Sequence, residues 1–284
     1  MYKISVIIPV FNGEKYICNC LDKLQTQRNI EDLEIIVIDD ASTDNTPLLL
    51  KQYSFVRIFT NKTNMGPSYS RNIGLDNATG KYVTLLDVDD FYREDRLYVM
   101  AKFMENHTDC MICSDYNVNV LSTGKVKSIY PSFWFPSFYP KKMTLAQYVR
   151  VDCGPLKPMI KLSFLRENQI KYNESIRYSE DFDFYYRIIQ KTDSFYILPS
   201  RSNFRLIHSG SLSTNRIELY TISLNQTWNY IEPGNRANRE LKKRIEKLMN
   251  NLYCIKNETH SPRNIFESFK KIENLLLYRL GLLK

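Results

Sequence analysis

Glycine and proline are scarce, with nine and eleven residues in a chain of 284. There is no low-complexity tract and no internal repeat, so the chain reads as an ordinary folded one. No apolar stretch approaches the roughly 20 residues that would span a bilayer. The segment Met1–Val10 is too short for a signal peptide and turns straight into a strand-and-turn pattern, so a cytoplasmic, reducing compartment is expected. The cysteines agree: those at 18, 20, 110, 113, 153 and 254 form no secreted disulfide pattern. Cys110-Met-Ile-Cys113 is a lone CxxC in an apolar run, and without a second pair it reads as buried thiols rather than a zinc site. There is no GxGxxG and no GxxxxGK[ST], which counts against a dinucleotide site or a P-loop.

What is present suits a soluble globular protein: 43% hydrophobic and 25% charged residues, enough for a sizeable core. The length predicts one large domain, or one domain with a helical extension. A net charge of +8 is compatible with an anionic partner such as a nucleotide, a phospholipid surface or nucleic acid, and equally with a merely basic soluble protein. The charge is uneven. Residues 236–284 are rich in Lys and Arg, whereas the first 120 carry acidic clusters.

Ile4–Ile8 is a short β-branched run, the pattern of a strand buried on both faces. Further strands are predicted at Leu33–Ile38, Phe55–Thr60, Lys81–Leu86 and Cys110–Asp115. Helices are predicted at Tyr16–Gln27, Pro47–Tyr53, Ser68–Asn77 and Asp95–Asn106. This alternation predicts an α/β fold with a mainly parallel, doubly wound sheet. From Leu121 to Pro158 the pattern breaks, and 132–140 is aromatic and proline-rich, either a mobile lid or acceptor platform or a loop packed on the sheet. Met159–Leu165 reads as strand then helix, Phe182–Lys191 as a helix and Ser194–Leu198 as a strand. Beyond Ser213 the chain looks helical, with a break at Pro262.

Ligands of such sheets bind beyond the carboxyl ends of the strands. Two acidic groups fall there, Asp39-Asp40 and Asp87-Val-Asp89-Asp90. Three carboxylates within four residues repel one another unless a cation neutralises them. Hard oxygen ligands suit Mg²⁺ or Mn²⁺, which can bridge a diphosphate and stabilise a leaving nucleotide; the plainer reading is a solvated acidic turn.

The chain resembles family 2 glycosyltransferases of the GT-A fold. The matching residues are Ser5-Val-Ile-Ile-Pro-Val-Phe-Asn-Gly-Glu14, Glu34-Ile-Ile-Val-Ile-Asp-Asp-Ala-Ser-Thr-Asp44, Asn64-Met-Gly-Pro-Ser-Tyr-Ser-Arg-Asn-Ile-Gly74 and Gly80-Lys-Tyr-Val-Thr-Leu-Leu-Asp-Val-Asp-Asp90. Glu180-Asp181 fits the family's later acidic pair, and Arg205–Ser213 its Arg-x-x-His-x-x-Ser-x-Ser tail, so the likeness reaches about residue 215. It implies a domain of residues 1–215, with a nucleotide-binding half (1–115) and an acceptor-side half (116–215), followed by a helical extension (216–284). It implies that Pro9, Phe11 and Glu14 line the nucleotide pocket, Phe11 lacking the hydroxyl of the Tyr often found there. Asp40, with Asp39, would accept from the base's ring N–H; Arg71 would lie near ribose and diphosphate. Asp87 would serve the nucleotide, and Asp89, Asp90 and His208 the metal. Asp181 would act as general base with Glu180 orienting it or the acceptor, predicting an inverting transfer from a UDP-sugar to a glycan or lipid-linked acceptor. The family's usual roles add lipopolysaccharide or capsule synthesis as the setting.

Simpler roles exist for several of these residues. Asp39 or Asp40 would also serve as a helix cap, Arg71 as a surface arginine and His208 as a loop histidine, and Ser179-Glu-Asp181 is a good first helical turn. Residues 265–284 alternate apolar side chains with Lys270, Lys271, Arg279 and Lys284, a basic amphipathic pattern suited to an anionic membrane surface, or to packing on the domain or on a second subunit as a homodimer. Two other functions compete: a metal-dependent nucleotidyltransferase, which would want a Gly-rich phosphate loop after the first strand, and a non-catalytic nucleotide- or carbohydrate-binding module. Nucleic acid is not expected as a partner, because no recognised motif for it is present.

Overall fold

A computed structural model describes residues 3–30, 32–121, 123–130, 139–151, 156–176, 178–192, 194–207 and 216–257. The first half alternates as the sequence predicts: β1 (Lys3–Val10), α1 (Ile17–Gln25), β2 (Asp32–Asp39), α2 (Thr46–Leu50), β3 (Val56–Thr60), α3 (Pro67–Asn77) and β4 (Tyr82–Leu85). Then follow β5 (Phe91–Tyr92), α4 (Arg96–Asn106), β6 (Ile112–Ser114), β7 (Asn117–Leu121), β8 (Val126–Tyr130), β9 (Lys141–Met143) and α5 (Leu145–Val151). The described chain continues with β10 (Met159–Lys161), α6 (Leu162–Glu167), α7 (Glu180–Thr192), β11 (Phe195–Ile197), β12 (Asn203–Ile207), α8 (Arg216–Asn229) and α9 (Asn238–Asn257).

Eight strands form one sheet in the order β3-β2-β1-β4-β10-β6-β11-β9. Strands β3, β2, β1 and β4 are mutually parallel, with Val10 beside Asp39 and Asp39 beside Thr60. Consecutive residues Ile7 and Ile8, and again Ile36 and Val37, are wholly buried. Both faces of the sheet are therefore covered, which is what the unbroken β-branched runs encode. The protein is thus α/β with a mainly parallel sheet.

Two features depart from the expected pattern. Strand β10 runs antiparallel to both β4 and β6, with Met159 beside Thr84. A second sheet, β5-β12-β7-β8, was not foreseen. Its strands were illegible for a physical reason: Asn117-Val-Asn-Val-Leu121 mixes in asparagine, a poor strand former, and β5 is two residues long. The region where periodicity fails therefore holds β8, β9 and α5. Of the aromatic segment, 131–138 lie outside the described residues.

The chain divides into two compact units. One comprises Met1–Thr144 and Cys153–Ser211, and holds both sheets; the other comprises Leu145–Asp152 and Leu212–Lys284, in which α5, α8 and α9 pack together. Among the described residues no helix is long and apolar enough to cross a membrane. The basic amphipathic stretch 265–284 lies outside them.

Candidate active site

The parallel strands β1, β2 and β4 deliver their carboxyl ends to one edge. Asp39, Asp40 and the Asp87–Asp90 run lie there, with Phe11 beyond β1 and 48% exposed. Pro9 and Glu14 are half-buried on either side of it. The loops at this edge are strained: Asn12, Ala41 and Ser179 have φ of 51°, 63° and 58°. Left-handed backbone in non-glycine residues is costly and concentrates at functional sites.

Short polar side chains tie these loops together. Gly13 N donates to Thr46 Oγ1 (2.8 Å), Thr43 N to Asn12 Oδ1 (2.8 Å) and Glu14 N to Asp44 Oδ2 (3.0 Å). Glu14 Oε2 accepts from the backbone and side-chain nitrogens of Asn45 at 3.1 and 3.0 Å. The polar run 42–46 thus braces the loop after β1; it also holds the start of α2 through Asp44 Oδ1, which accepts from Thr46 N at 2.9 Å, while the N-cap residue Asn45 makes no side-chain cap bond.

Asp39 Oδ1 accepts from Ser42 N at 3.0 Å, closing its own turn. Asp40, 4% exposed, reaches the other way. Its Oδ1 accepts from Asn61 Nδ2 (2.7 Å) and Met65 N (2.9 Å), and its Oδ2 from Gly66 N (2.8 Å). Gly66 has φ of 88° and hands the chain to Pro67, which opens α3. Glycine at that dihedral and proline at the first helical position each fit without strain. Asp40 therefore fixes where α3 begins, and α3 carries Arg71.

Arg71 is buried, not a surface arginine. Its Nη2 donates to Asp87 Oδ1 at 2.9 Å and its Nη1 to Glu180 Oε1 at 2.7 Å, with Asp181 Oδ1 at 3.8 Å. Its guanidinium lies 5.2 Å from the centre of the Tyr172 ring. Lys157, which sequence reasoning did not single out, is the second cation. Its Nζ lies 2.8 Å from Asp87 Oδ2 and 3.1 Å from Asp181 Oδ2. Asp181 Oδ1 also accepts from the Tyr172 hydroxyl at 3.0 Å. The strand-end Asp87 and the helix-start pair Glu180-Asp181, distant in sequence, thus form one partly buried network of three carboxylates and two cations. Burial opposes ionisation of Asp87, yet Lys157 and Arg71 hold its carboxyl well below the usual carboxylate range. Glu180 goes the other way: burial raises it, and the Arg71 cation only partly offsets that.

Asp90 is 2% exposed. Its Oδ1 accepts from Leu206 N at 3.1 Å, while its Oδ2 is buried with no hydrogen-bond partner among the described residues. Burial, then Asp87 and Asp89, push its carboxyl well above the ordinary value. An orphaned, crowded carboxylate oxygen of this kind is a fit place for a cation. Asp87 is less so, since both its oxygens already face cations. Among the described residues no three His, Cys, Asp or Glu side chains are grouped to hold a metal ion, and His208 lies outside those residues.

The family model of glycosyl transferase family 2 matches residues 5–167, more than half of the chain. The chain belongs to that family. This family 2 member is 30% identical over 187 residues to the poly(ribitol-phosphate) β-N-acetylglucosaminyltransferase TarS of Staphylococcus aureus, covering 64% of this chain and 31% of that protein. It is 33% identical over 190 residues to a poly(ribitol-phosphate) β-glucosyltransferase of Bacillus spizizenii, covering 63% of this chain and 28% of that one. The chain thus spans about three tenths of the length of these curated relatives. The crystal structure of S. aureus TarS 1–349 in complex with UDP-GlcNAc superposes with a TM-score of 0.66 at 21% identity, over 93% of this chain and 75% of that one. This family 2 chain therefore has the GT-A fold, with helices following it.

Proposed function

We propose that the protein is an inverting glycosyltransferase that moves a sugar from a UDP-sugar to a hydroxyl of a bacterial surface glycan or its lipid-linked precursor. The observation that carries this reading is the network through Arg71 and Lys157. It joins the carboxylate at the donor-binding edge of the sheet, Asp87, to the carboxylates at the start of α7. Relatives whose names describe sugar transfer to poly(ribitol-phosphate) support an anionic surface glycan as acceptor. Lipopolysaccharide or capsule remains the alternative setting.

In this mechanism the exposed face of Phe11, with Pro9, seats the base, and Asp39 and Asp40 accept from its ring N–H. Asp40 has capacity for this because a carboxylate offers about four acceptor sites and three are used inside the protein. Arg71 and Asp87 face the ribose and diphosphate. Asp181 takes the acceptor hydroxyl proton as that oxygen bonds to the anomeric carbon. The bond from that carbon to the diphosphate breaks, and its electron pair leaves with UDP. Attack from the face opposite the leaving group inverts the centre. Asp89 and Asp90, with His208, would hold Mn²⁺ or Mg²⁺, which would supply positive charge to the departing diphosphate. The basic residues 265–284 would place the protein against an anionic membrane surface.

Calorimetric titration with UDP and with GDP, each with Mn²⁺ and after chelation, tests the donor site. Metal-dependent UDP binding that is abolished in Asp89→Ala is expected, and binding of neither nucleotide overturns the reading. Release of UDP rather than pyrophosphate on turnover separates glycosyl transfer from nucleotidyl transfer.

A further inference from the structure

The buried ammonium of Lys157 joins the network above but takes no chemical step in the mechanism, and its surroundings are built. Its side chain is 3% exposed. Its backbone is fixed from two directions. Pro158 follows, which confines Lys157 to extended backbone. Its carbonyl oxygen accepts from Arg96 Nη2. Arg96 is itself wholly buried, and its Nε and Nη2 lie 3.2 and 3.1 Å from Asp115 Oδ1. Asp115 Oδ2 accepts from Ser202 N at 2.9 Å and from Ser200 Oγ at 3.2 Å. The Arg96 guanidinium lies 4.1 Å from the centre of the Tyr92 ring. Two sheets and α4 are thus pinned to the carbonyl of one lysine.

The other end of that lysine meets Asp181. Each oxygen of Asp181 has its own donor: Lys157 on Oδ2 at 3.1 Å, and Tyr172 on Oδ1 at 3.0 Å. Tyr172 is rigid in turn. Its backbone exchanges hydrogen bonds with the Asn72 side chain at 2.8 and 2.9 Å, and its ring stacks on Phe184 at 4.0 Å. A carboxylate gripped at both oxygens cannot swing, which is what a general base aimed at one hydroxyl requires.

Taking the proposed function as its basis, we propose that Lys157 is a positioning residue for the base Asp181, tying it to Asp87, and that the buried Arg96–Asp115 pair is what holds Lys157 in place. A purely structural ion pair predicts a different outcome. Removing one partner of a buried ion pair leaves an uncompensated charge and destabilises the fold strongly, so a purely structural Lys157 predicts a lower melting temperature with kcat unchanged in the protein that stays folded.

The test is steady-state UDP release by the full chain with a donor sugar and acceptor found by screening, alongside UDP titration and thermal melting. For Lys157→Met, kcat is expected to fall about 100-fold or more, on the scale of general-base catalysis, with UDP affinity within about 3-fold of wild type. Lys157→Arg keeps the charge but displaces it, and an intermediate loss is expected, about 10-fold in kcat. If Lys157→Met melts below the assay temperature, Lys157→Arg alone decides. Wild-type kcat in whichever folded variant is measured overturns the inference. So does a kcat loss matched by an equal loss of UDP affinity, which would make Lys157 a donor ligand instead. If wild type binds UDP but these variants behave as wild type, only the inference fails. If wild type neither binds UDP nor releases it from any donor, the functional reading fails and takes the inference with it.

Discussion

At the scale of single residues, the acidic side chains divide by what they face. Asp87 is compensated by two cations, Asp40 by backbone and side-chain N–H groups, and Asp90 keeps one oxygen without a hydrogen-bond partner among the described residues. Glu180 is the informative case for stability. Burial raises its carboxyl above the ordinary Glu value despite Arg71. A carboxyl that holds its proton more tightly in the folded chain penalises the fold once it is ionised. The penalty is fully present above the folded value and vanishes as pH falls through it toward the unfolded value. Glu180→Gln removes it. That variant is expected to melt above wild type at pH 8, by about 2–4 °C per kcal/mol relieved, with the difference closing near pH 4. Melting curves at both values check this, and an equal or lower melting temperature at pH 8 would show that the Arg71 pairing outweighs burial.

At the scale of elements, α3 is the piece that converts sequence into a site. It starts where Asp40 and Gly66 dictate, and it lies so close to the sheet that a Cβ on Gly74 would sit 2.3 Å from Ile7 Cγ2 and 3.1 Å from Ile38 Cδ1. That approach lets Arg71, one turn earlier, reach Asp87 across from β4. Gly74→Ala must push α3 outward or move wholly buried Ile7. A destabilisation of about 1–3 kcal/mol is expected from overpacking, together with weaker UDP binding as Arg71 is displaced. Denaturant unfolding and calorimetry read the two effects separately, and a variant with unchanged UDP affinity would uncouple α3 packing from the site. Strand β10 makes the complementary contribution. Because it is antiparallel, its beginning rather than its end lies at the edge where the parallel strands deliver their carboxyl ends, and it brings Lys157 to Asp87 there.

At the scale of the molecule, the second unit draws on an internal segment. Helix α5 buries Leu145, Tyr148, Val149 and Val151 and packs with α9, although the chain returns to the first unit before α9 is made. A chain ended after Ser211 would keep α5 but lose its partner helices. It is expected to self-associate through that apolar face on size-exclusion chromatography, whereas a chain ended at Asn257 stays monodisperse. A monodisperse, cooperatively melting 1–211 would show that α5 needs no helix from the C-terminal segment. The sequence by itself determined the parallel half of the main sheet. Local physics encodes it: β-branched runs at Ile4–Ile8 and Leu33–Ile38 want burial on both faces, and the carboxylates that end the strands mark the ligand edge. The acidic strand end also singled out Asp87, and the family resemblance Arg71, Glu180 and Asp181, but as separate features. Only the tertiary structure decided that they form one ionic network, that Asp40 spends its oxygens on the 61–66 loop, and that Lys157 belongs to the site. A lysine between a hydrophobic residue and a proline carries no local signal. Its role comes from the direction of strand β10 and from a buried arginine sixty-one positions away, and neither strand direction nor long-range pairing is written in the residues beside it.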